Sequence, residues 1–327
     1  MLTIDGSYLE GGGQIVRTAV ALSAVTGTPV TLERIRERRE RPGLAAQHVA
    51  AVSAVGAACG AAIEGLAPGS RQIVFHPGPL ERRDVAVDLG TAGSIPLVLQ
   101  AWLPVALHAG GSLSATGGTE VRWSPTIDYV DRVLAAVLRR HGGVIDIAVL
   151  QRGYYPQGGG RVAVRVEPSH LFPIVVERAD ARCGICSCSS NLPEHVTERQ
   201  AASARRVLSA ALPQECDVHL DPRTGGGSTG SSLTVWAGAK GGTALGRRGL
   251  AAENVGEQAA RRLLEEVRRP GTVDLHLSDQ LLIYLAQYGG RYSTHALSMH
   301  ARTICWLLER FGFAVRWREN GAVEFAV

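Results

Sequence analysis

Strand-like and helical segments recur in a fixed order along this sequence, and that order restricts the possible folds. The spacing of apolar residues predicts helices over residues 14–25, 44–58, 94–107 and 127–140. Strand-like runs lie between them at residues 30–35, 72–75, 85–88, 112–116, 144–149 and 162–166. The order strand, helix, strand, helix, strand, strand takes roughly 80 to 90 residues and then begins again, which indicates a weak internal repeat. The sequence therefore predicts βαβαββ units in which helices are layered on sheets, a fold of the α+β or α/β class.

The pattern changes after residue 180 and returns near the C-terminus. Strands are predicted at residues 185–190, 217–220 and 232–236, a glycine-rich loop at 224–230, and helices at 194–212 and 251–268. The last part again resembles the first, with helices at 279–287 and 296–311 and strands at 315–318 and 322–327. We therefore predict a large domain made of residues 1–180 and 275–327, interrupted by a small α+β domain at residues 181–274.

Composition excludes several classes of protein. Of the 327 residues, 45% are hydrophobic and 20% charged, which is typical of a globular protein, and the net charge of +4 creates no strong global field. No apolar run is long enough to span a membrane, and the N-terminus lacks the pattern of a signal peptide. We expect a cytoplasmic protein without membrane association, and no obligate protein partner is evident.

A cysteine cluster admits two interpretations. Cys183, Cys186 and Cys188 form a C-x-x-C-x-C pattern, and His195 is the nearest candidate for a fourth zinc ligand. The alternation C-G-I-C-S-C also fits a strand that carries small residues, which is the interpretation we favour. A disulfide framework is improbable in a cytosolic protein.

Near the N-terminus, residues 5–17 read D-G-S-Y-L-E-G-G-G-Q-I-V-R. With the strand-like residues 2–5 before it, this stretch predicts a strand, a glycine turn and the start of a helix. Glycines let backbone N–H groups approach a ligand closely, and a helix N-terminus favours anions. Glu10 could hold a metal ion and Arg17 a phosphate. The stretch matches neither the P-loop nor the dinucleotide pattern, so a plain turn is an equal alternative.

Two further stretches carry residues suited to phosphate chemistry. Residues 34–48 read R-I-R-E-R-R-E-R-P-G-L-A-A-Q-H, and their interleaved charges fit a solvated face better than a phosphate site. Near the C-terminus, His295 and His300 are five residues apart and so do not share one helix face. Each is more often a structural residue, although a neutral imidazole near a helix start could attack phosphorus.

Together these stretches resemble the RNA 3′-terminal phosphate cyclases, in order and over almost the whole chain. The matching segments are D-G-S-Y-L-E-G-G-G-Q-I-V-R-T-A, R-P-G-L-A-A-Q-H-V, G-T-A-G-S-I-P-L-V-L-Q, G-Y-Y-P-Q-G-G-G, S-N-L-P-E-H-V-T-E-R, S-D-Q-L, and H-A-R-T with L-E-R-F. The resemblance implies three βαβαββ repeats with an inserted α+β domain. It also implies a reaction in which a histidine attacks the α-phosphorus of ATP, the AMP passes to an RNA 3′-phosphate, and the ribose 2′-OH closes a 2′,3′-cyclic phosphate.

Carried over residue by residue, the resemblance makes His300 the nucleophile, with His295 as its competitor. It makes Glu10 a ligand of a divalent metal, Mg²⁺ or Mn²⁺. The remaining matches are four residues of the phosphate and RNA-end pocket, Arg17, Arg39, Gln47 and His48, and five residues of the ATP site, Gln14, Pro125, His276, Asp279 and Gln280.

The sequence departs from the family at the adenine site. A tyrosine that stacks on adenine in some members is His276 here, and no aromatic residue for the adenine edge is evident near Thr243. Two alternatives stand beside a cyclase: a non-catalytic relative that binds RNA ends or assists ribosome assembly, and an enolpyruvyl transferase. The transferase would need lysines around its substrate, and Lys240 is the only lysine in this chain.

Overall fold

A computed structural model of the protein describes residues 1–177 and 182–327. The N-terminal part forms a four-stranded sheet in the order β1-β2-β4-β3, in which β1 and β2 run parallel because helix α1 connects them. Its elements are β1 (Leu2–Asp5), α1 (Gly13–Thr26), β2 (Val30–Glu33), α2 (Ala46–Cys59), β3 (Ala62–Glu64) and β4 (Ile73–His76).

The second sheet has the equivalent order, β5-β6-β8-β7, with one parallel pair, β5 and β6. Helix α4 passes through a π-helical turn, Val130–Leu134, into helix α5. The elements are β5 (Arg83–Asp88), α3 (Ile95–Ala109), β6 (Gly111–Gly117), α4 (Ile127–Tyr129), α5 (Ala135–Arg140), β7 (Val144–Gln151) and β8 (Gly160–Glu167).

A short strand, β9 (Ile174–Val175), precedes a separate sheet with the order β11-β10-β12-β13. Two amphipathic helices, α6 and α7, pack against each other and against this sheet. Its elements are β10 (Cys183–Ser190), α6 (His195–Ser209), β11 (Cys216–Arg223), β12 (Gly230–Ala237), β13 (Lys240–Leu245) and α7 (Ala252–Arg268).

The C-terminal part completes the sheet that β9 begins. Its elements are α8 (Leu275–Tyr288), β14 (Gly290–Thr294), α9 (Met299–Arg310), β15 (Arg316–Glu319) and β16 (Val323–Ala326). The strand order is β15-β16-β14-β9, and β9 pairs in parallel with β14. The chain thus leaves this sheet after β9 and returns to it beyond α7.

Two hydrophobic clusters fill the interior. The larger takes buried residues from the three sheets outside the β10–β13 segment and from their helices, and α3 is buried along nearly its whole length. The smaller lies between the β10–β13 sheet and helices α6 and α7, from Cys183 to Leu264.

The predicted mixed α/β structure is confirmed, and the first four predicted helices occur at nearly the predicted bounds. No described helix combines the length and apolar character needed to cross a membrane.

The cysteine predictions need one correction. The strand interpretation is confirmed, because all three clustered cysteines lie in β10. The expectation against disulfides is wrong: Cys183 is bonded to Cys216, since the parallel pairing of β10 with β11 places these two residues directly opposite each other. The suggested zinc set is also wrong, because Cys183 is in that disulfide and His195 is exposed.

Candidate active site

The glycine loop ends at the first turn of α1 and packs against one histidine. Gly11 adopts a left-handed backbone with φ of 55°, and Gly12 is the N-cap of α1. A Cβ on Gly13 would lie 2.0 Å from Nε2 of His48, so only glycine allows this imidazole to sit against the backbone. The strand, glycine turn and helix start predicted from the sequence are therefore present.

His48 is buried at the start of α2 and is held as a neutral imidazole. The backbone N–H of Ala45 donates to its Nδ1 at 2.9 Å, so the ring proton is on Nε2, the nitrogen that faces Gly13. Burial, with the charges of Arg17 and Arg36, lowers the pKa of His48 to about 3. A neutral Nε2–H at this place is a hydrogen-bond donor at the edge of the glycine loop.

His300 is the second residue of α9, and Ser298 caps that helix by accepting from the backbone N–H of Ala301. Its Nδ1 lies 3.2 Å from Oε2 of Glu10 in the glycine loop. Burial lowers the pKa of His300, Glu10 opposes that effect, and Arg17 adds to it. A helix N-terminus also disfavours an imidazolium, so the ring is neutral with one nitrogen oriented by a carboxylate.

The positive charge around this histidine comes from α1 and from the arginine-rich loop. Burial lowers the pKa of Arg17 to about 10, and the nearby Asp279 opposes the shift. Exposed Arg39 extends its guanidinium over the loop, with Nη2 3.3 Å from the position that a Cβ on Gly12 would occupy. Arg39 also contributes to lowering the pKa of His300. Two guanidinium groups are thus available to an anion beside the imidazole.

The polar residues of α8 face the same region from the other side. Burial raises the pKa of Asp279 well above its usual range, together with the nearby carboxylate of Asp274. Gln280 donates from Nε2 to the carbonyl of His276, while its buried Oε1 has no hydrogen-bond partner. Both residues line a small cavity of about 30 Å³ with Gln14 and Arg17. An unpartnered buried amide oxygen is suited to accept a donor from a ligand.

An aromatic pair fixes the loop to the helix that carries His300. Tyr8 and Trp306 stack with their ring centroids 4.0 Å apart and an interplanar angle of 17°. Tyr8 is two residues before Glu10, and Trp306 is on α9, so the stack holds the carboxylate near the imidazole. Sequence reasoning missed this contact, because the two residues are far apart in the chain and neither is in a spacing pattern.

Comparison with known proteins shows the family of this chain. Residues 8–316 match the family described as RNA 3′-terminal phosphate cyclase. The chain belongs to this family. Proteins named RNA 3′-terminal phosphate cyclase are 46% identical in Methanococcoides burtonii, covering 95% of this chain and 94% of that protein, and 44% identical in Archaeoglobus fulgidus, covering 98% of each. A relative with the same name, from Nitrosospira multiformis, is 43% identical over 95% of this chain and 91% of its own length.

Within this cyclase-family chain, the two candidate histidines have different surroundings. His295 lies between β14 and α9 and contacts the C-terminal end of α7, with Nδ1 3.3 Å from Oε2 of Glu266 and Nε2 3.0 Å from Nη1 of Arg269. His300, in contrast, has the glycine loop and its acid beside it. The arrangement around His300 is the one that offers a phosphate-binding environment.

Three other residues matched to the family, Gln47, His276 and Pro125, are placed by the elements that carry them rather than by a hydrogen bond to His300 or the glycine loop. Gln47 is half-buried in the first turn of α2, next to His48. Exposed His276 is near enough to affect the pKa of His300. Pro125 immediately precedes the N-cap of α4, and α4 reaches α8 through Tyr129, whose hydroxyl donates to Asp274 at 2.8 Å. Pro125 is thus connected to α8 through α4.

The metal expected of the family has one suitable ligand here. Mg²⁺ commonly binds one or two carboxylates together with substrate phosphates, so Glu10 beside two arginines fits such an ion. The described residues hold one group of three potential ligands within 4.8 Å, Asp128, Cys186 and Cys188, and it is buried elsewhere. Asp128 there is already paired with Arg152 at 2.6 Å.

Proposed function

We propose that this protein converts an RNA 3′-terminal phosphate to a 2′,3′-cyclic phosphodiester at the expense of ATP. The observation that carries the proposal is the neutral imidazole of His300, 3.2 Å from Glu10 at a helix N-terminus, in a chain of the cyclase family. Nδ1 of His300 is oriented by the carboxylate, so the lone pair of Nε2 is free to attack phosphorus.

The first step is adenylylation of the protein. Nε2 of His300 attacks the α-phosphorus of ATP, a nitrogen–phosphorus bond forms, and the bond to the bridging oxygen breaks with release of pyrophosphate. Arg17 is placed to stabilise the charge that develops on the phosphate oxygens. Gln14, Asp279 and Gln280 bind the nucleotide, with Pro125 and His276 at the adenine. Glu10 would hold Mg²⁺ or Mn²⁺, which neutralises phosphate charge when bound.

The next two steps use the RNA end. An oxygen of the RNA 3′-phosphate attacks the adenylate phosphorus, and His300 leaves as a neutral imidazole once it regains its lone pair. The ribose 2′-OH then attacks the 3′-phosphorus and loses its proton to solvent, and AMP departs with the electron pair of the anhydride bond. Arg39, Gln47 and the Nε2–H of His48 position the RNA phosphate for both attacks, which makes the second attack effectively intramolecular.

Self-labelling tests the proposal and the choice of histidine. The protein is incubated with α-labelled ATP and Mg²⁺ or Mn²⁺, and the labelled peptide is mapped after denaturing electrophoresis. We expect an acid-labile label on the peptide that contains His300, its loss in His300→Ala, and its retention in the matched variant His295→Ala. Folded protein that takes no label would instead favour a relative that binds RNA ends without catalysis.

We also propose that the architecture consists of repeated units with an inserted domain. The three sheets outside β10–β13 share one strand order, which supports three copies of a βαβαββ unit. We infer that residues 181–274 are an inserted domain. Its first boundary lies outside the described residues, and the separate hydrophobic cluster from Cys183 to Leu264 supports a distinct unit. An enzyme that acts on intracellular RNA ends would work in the cytoplasm.

A further inference from the structure

A cleft of about 720 Å³ lies between loops of the second sheet and the β10–β13 segment. None of its lining residues takes part in the reaction proposed above. Three of them are the exposed arginines Arg122, Arg247 and Arg248, and a fourth is Tyr155. The position and the chemistry of this cleft indicate that it contacts the RNA substrate at a second place, away from His300.

Within the described part of the chain, the exposed arginines of the cleft have no acidic partner. Among the described residues, the guanidinium groups of Arg122, Arg247 and Arg248 form no ion pair. The other acidic and basic residues on the walls have partners: Arg199 bonds Glu253 at 2.7 Å, and the buried carboxyl of Glu120 accepts a hydrogen bond from Arg152 at 2.7 Å. Three unpaired guanidinium groups on one cleft attract a polyanion and match the geometry of phosphate oxygens.

The backbone presents two of these arginines together. Arg247 and Arg248 open a turn that is closed by the backbone N–H of Leu250, which donates to the carbonyl of Arg247 at 3.0 Å. Gly249 supplies the left-handed conformation of the turn, with φ of 81°. The two side chains therefore leave the same short turn toward solvent.

Exposed aromatic rings accompany the charges. Tyr155 is 74% exposed, and Trp123, the residue after Arg122, is 98% exposed. Trp123 also has a left-handed backbone, with φ of 64°, which is unfavourable for a bulky side chain. Exposed aromatic rings beside arginines are the features with which proteins bind single-stranded nucleic acid, because every base has a face that can stack.

One strand connects this cleft to the nucleotide site. At one end of β13, the backbone N–H of Gly241 donates to Asp274, the N-cap of α8, at 2.8 Å. At the other end, Leu245 lines the cleft. At a rise of about 3.3 Å per residue, the two ends are roughly 13 Å apart. An RNA strand whose 3′ end lies at the site formed by α8 and α9 could therefore extend into the cleft.

We propose that the cleft binds the single-stranded part of the RNA substrate upstream of its 3′-phosphate. Arg122, Arg247 and Arg248 contact backbone phosphates, and Tyr155 and Trp123 stack on bases. The proposal rests on the proposed function for the identity of the strand, and it adds a binding site for the RNA that does not depend on the base sequence.

The test is direct binding of a 3′-phosphorylated, fluorescently labelled oligoribonucleotide of about ten nucleotides, without ATP, over a range of salt concentrations. Arg247→Ala/Arg248→Ala is compared with Arg316→Ala/Arg318→Ala, which removes two exposed arginines from β15. We expect the cleft variant to bind about 10-fold more weakly, with a slope of log affinity against log salt that is less negative by about 1.4, and we expect the control to match the unmodified protein.

Two further variants test the stacking. Tyr155→Ala and Trp123→Ala are each expected to weaken binding by roughly 5- to 150-fold with an unchanged salt slope. Equal losses in the cleft and control arginine variants, or no loss in the cleft variants, would overturn the proposal. Self-labelling with ATP is measured on the same proteins, so a failure of the proposed function appears as missing label, independently of RNA binding.

Discussion

At the scale of single residues, the protonation of His300 determines when the nucleophile is available. Burial lowers its pKa, so the imidazole is neutral at pH 7, and Glu10 opposes this shift. We expect the rate of self-adenylylation to be constant above neutral pH and to fall only below the usual histidine pKa of about 6.5. Removing the carboxylate in Glu10→Gln should lower the pKa further, so the acidic limb of the pH–rate profile moves to lower pH while the maximal rate decreases. A limb that moves to higher pH would contradict this account of Glu10.

The contact between Gly13 and His48 leads to a second residue-scale prediction. Alanine favours a helix over glycine by about 1 kcal/mol, yet its Cβ here would lie 2.0 Å from the buried Nε2 of His48. We expect Gly13→Ala to lower the free energy of unfolding by about 1–3 kcal/mol, because the ring must move from its bond with Ala45. In the matched variant Gly12→Ala, the atom nearest to the new Cβ is at the flexible end of Arg39, 3.3 Å away, and urea titration should give a loss below about 1 kcal/mol. Equal losses in both variants would show that the imidazole is not tightly packed.

At the scale of elements, the stack of Tyr8 on Trp306 joins the glycine loop to α9. A stacked aromatic pair contributes about 0.5–1.5 kcal/mol beyond its buried area, so a double-mutant cycle of Tyr8→Ala and Trp306→Ala should give a coupling energy of that size. Trp306→Ala should also slow self-adenylylation, since Glu10 loses its position beside the imidazole, whereas Trp306→Phe should retain most of the rate. The exposed Trp317 of β15 supplies the control, and Trp317→Ala should leave the rate unchanged.

The elements also show what the sequence could predict. Helices such as α1 and α3 have long apolar patterns, and their bounds were predicted closely. Strands β3, β9, β13 and β14 were missed, because short strands depend on partners that are distant in sequence. The same reason explains the disulfide: Cys183 and Cys216 are 33 residues apart, and only the pairing register of β10 with β11 places them together.

Some features of the site could be predicted from sequence motifs, and others could not. The motifs predicted that Glu10, Arg17 and His300 belong together, and the structure places them together, although their roles remain predictions. The lone pair left on Nε2 of His300 and the unpartnered oxygen of Gln280 could not be predicted, because both depend on tertiary contacts. The arginine-rich loop was interpreted as a solvated face, yet Arg39 from it extends over Gly12.

At the scale of the whole molecule, a buried ionic network joins the β10–β13 segment to the rest. Arg152, just after β7, bonds Glu120 and Asp128 of the second unit at 2.7 and 2.6 Å, and Asp221 of β11 at 2.9 Å. Burial raises the pKa of Glu120 to about 8, so at pH 7 this carboxyl is mostly protonated. The charges of Asp128 and Asp221 are then balanced by Arg152 and by Arg223, which bonds Asp221 at 2.7 Å. The network is close to neutral as long as Arg152 is present.

Removing that arginine should therefore loosen the attachment of the segment in a pH-dependent way. Arg152→Met leaves the buried carboxylate of Asp128 without a cation, which typically lowers the free energy of unfolding by about 3–5 kcal/mol. Without Arg152, burial favours the protonated acids, so the deficit relative to the unmodified protein should shrink as the pH falls from 8 to 5. Urea unfolding at both pH values measures this, with Arg82→Met as the control, since its exposed pair with Glu167 should matter far less. A deficit that is equal at the two pH values would mean that lost packing, rather than unpaired charge, destabilises the variant.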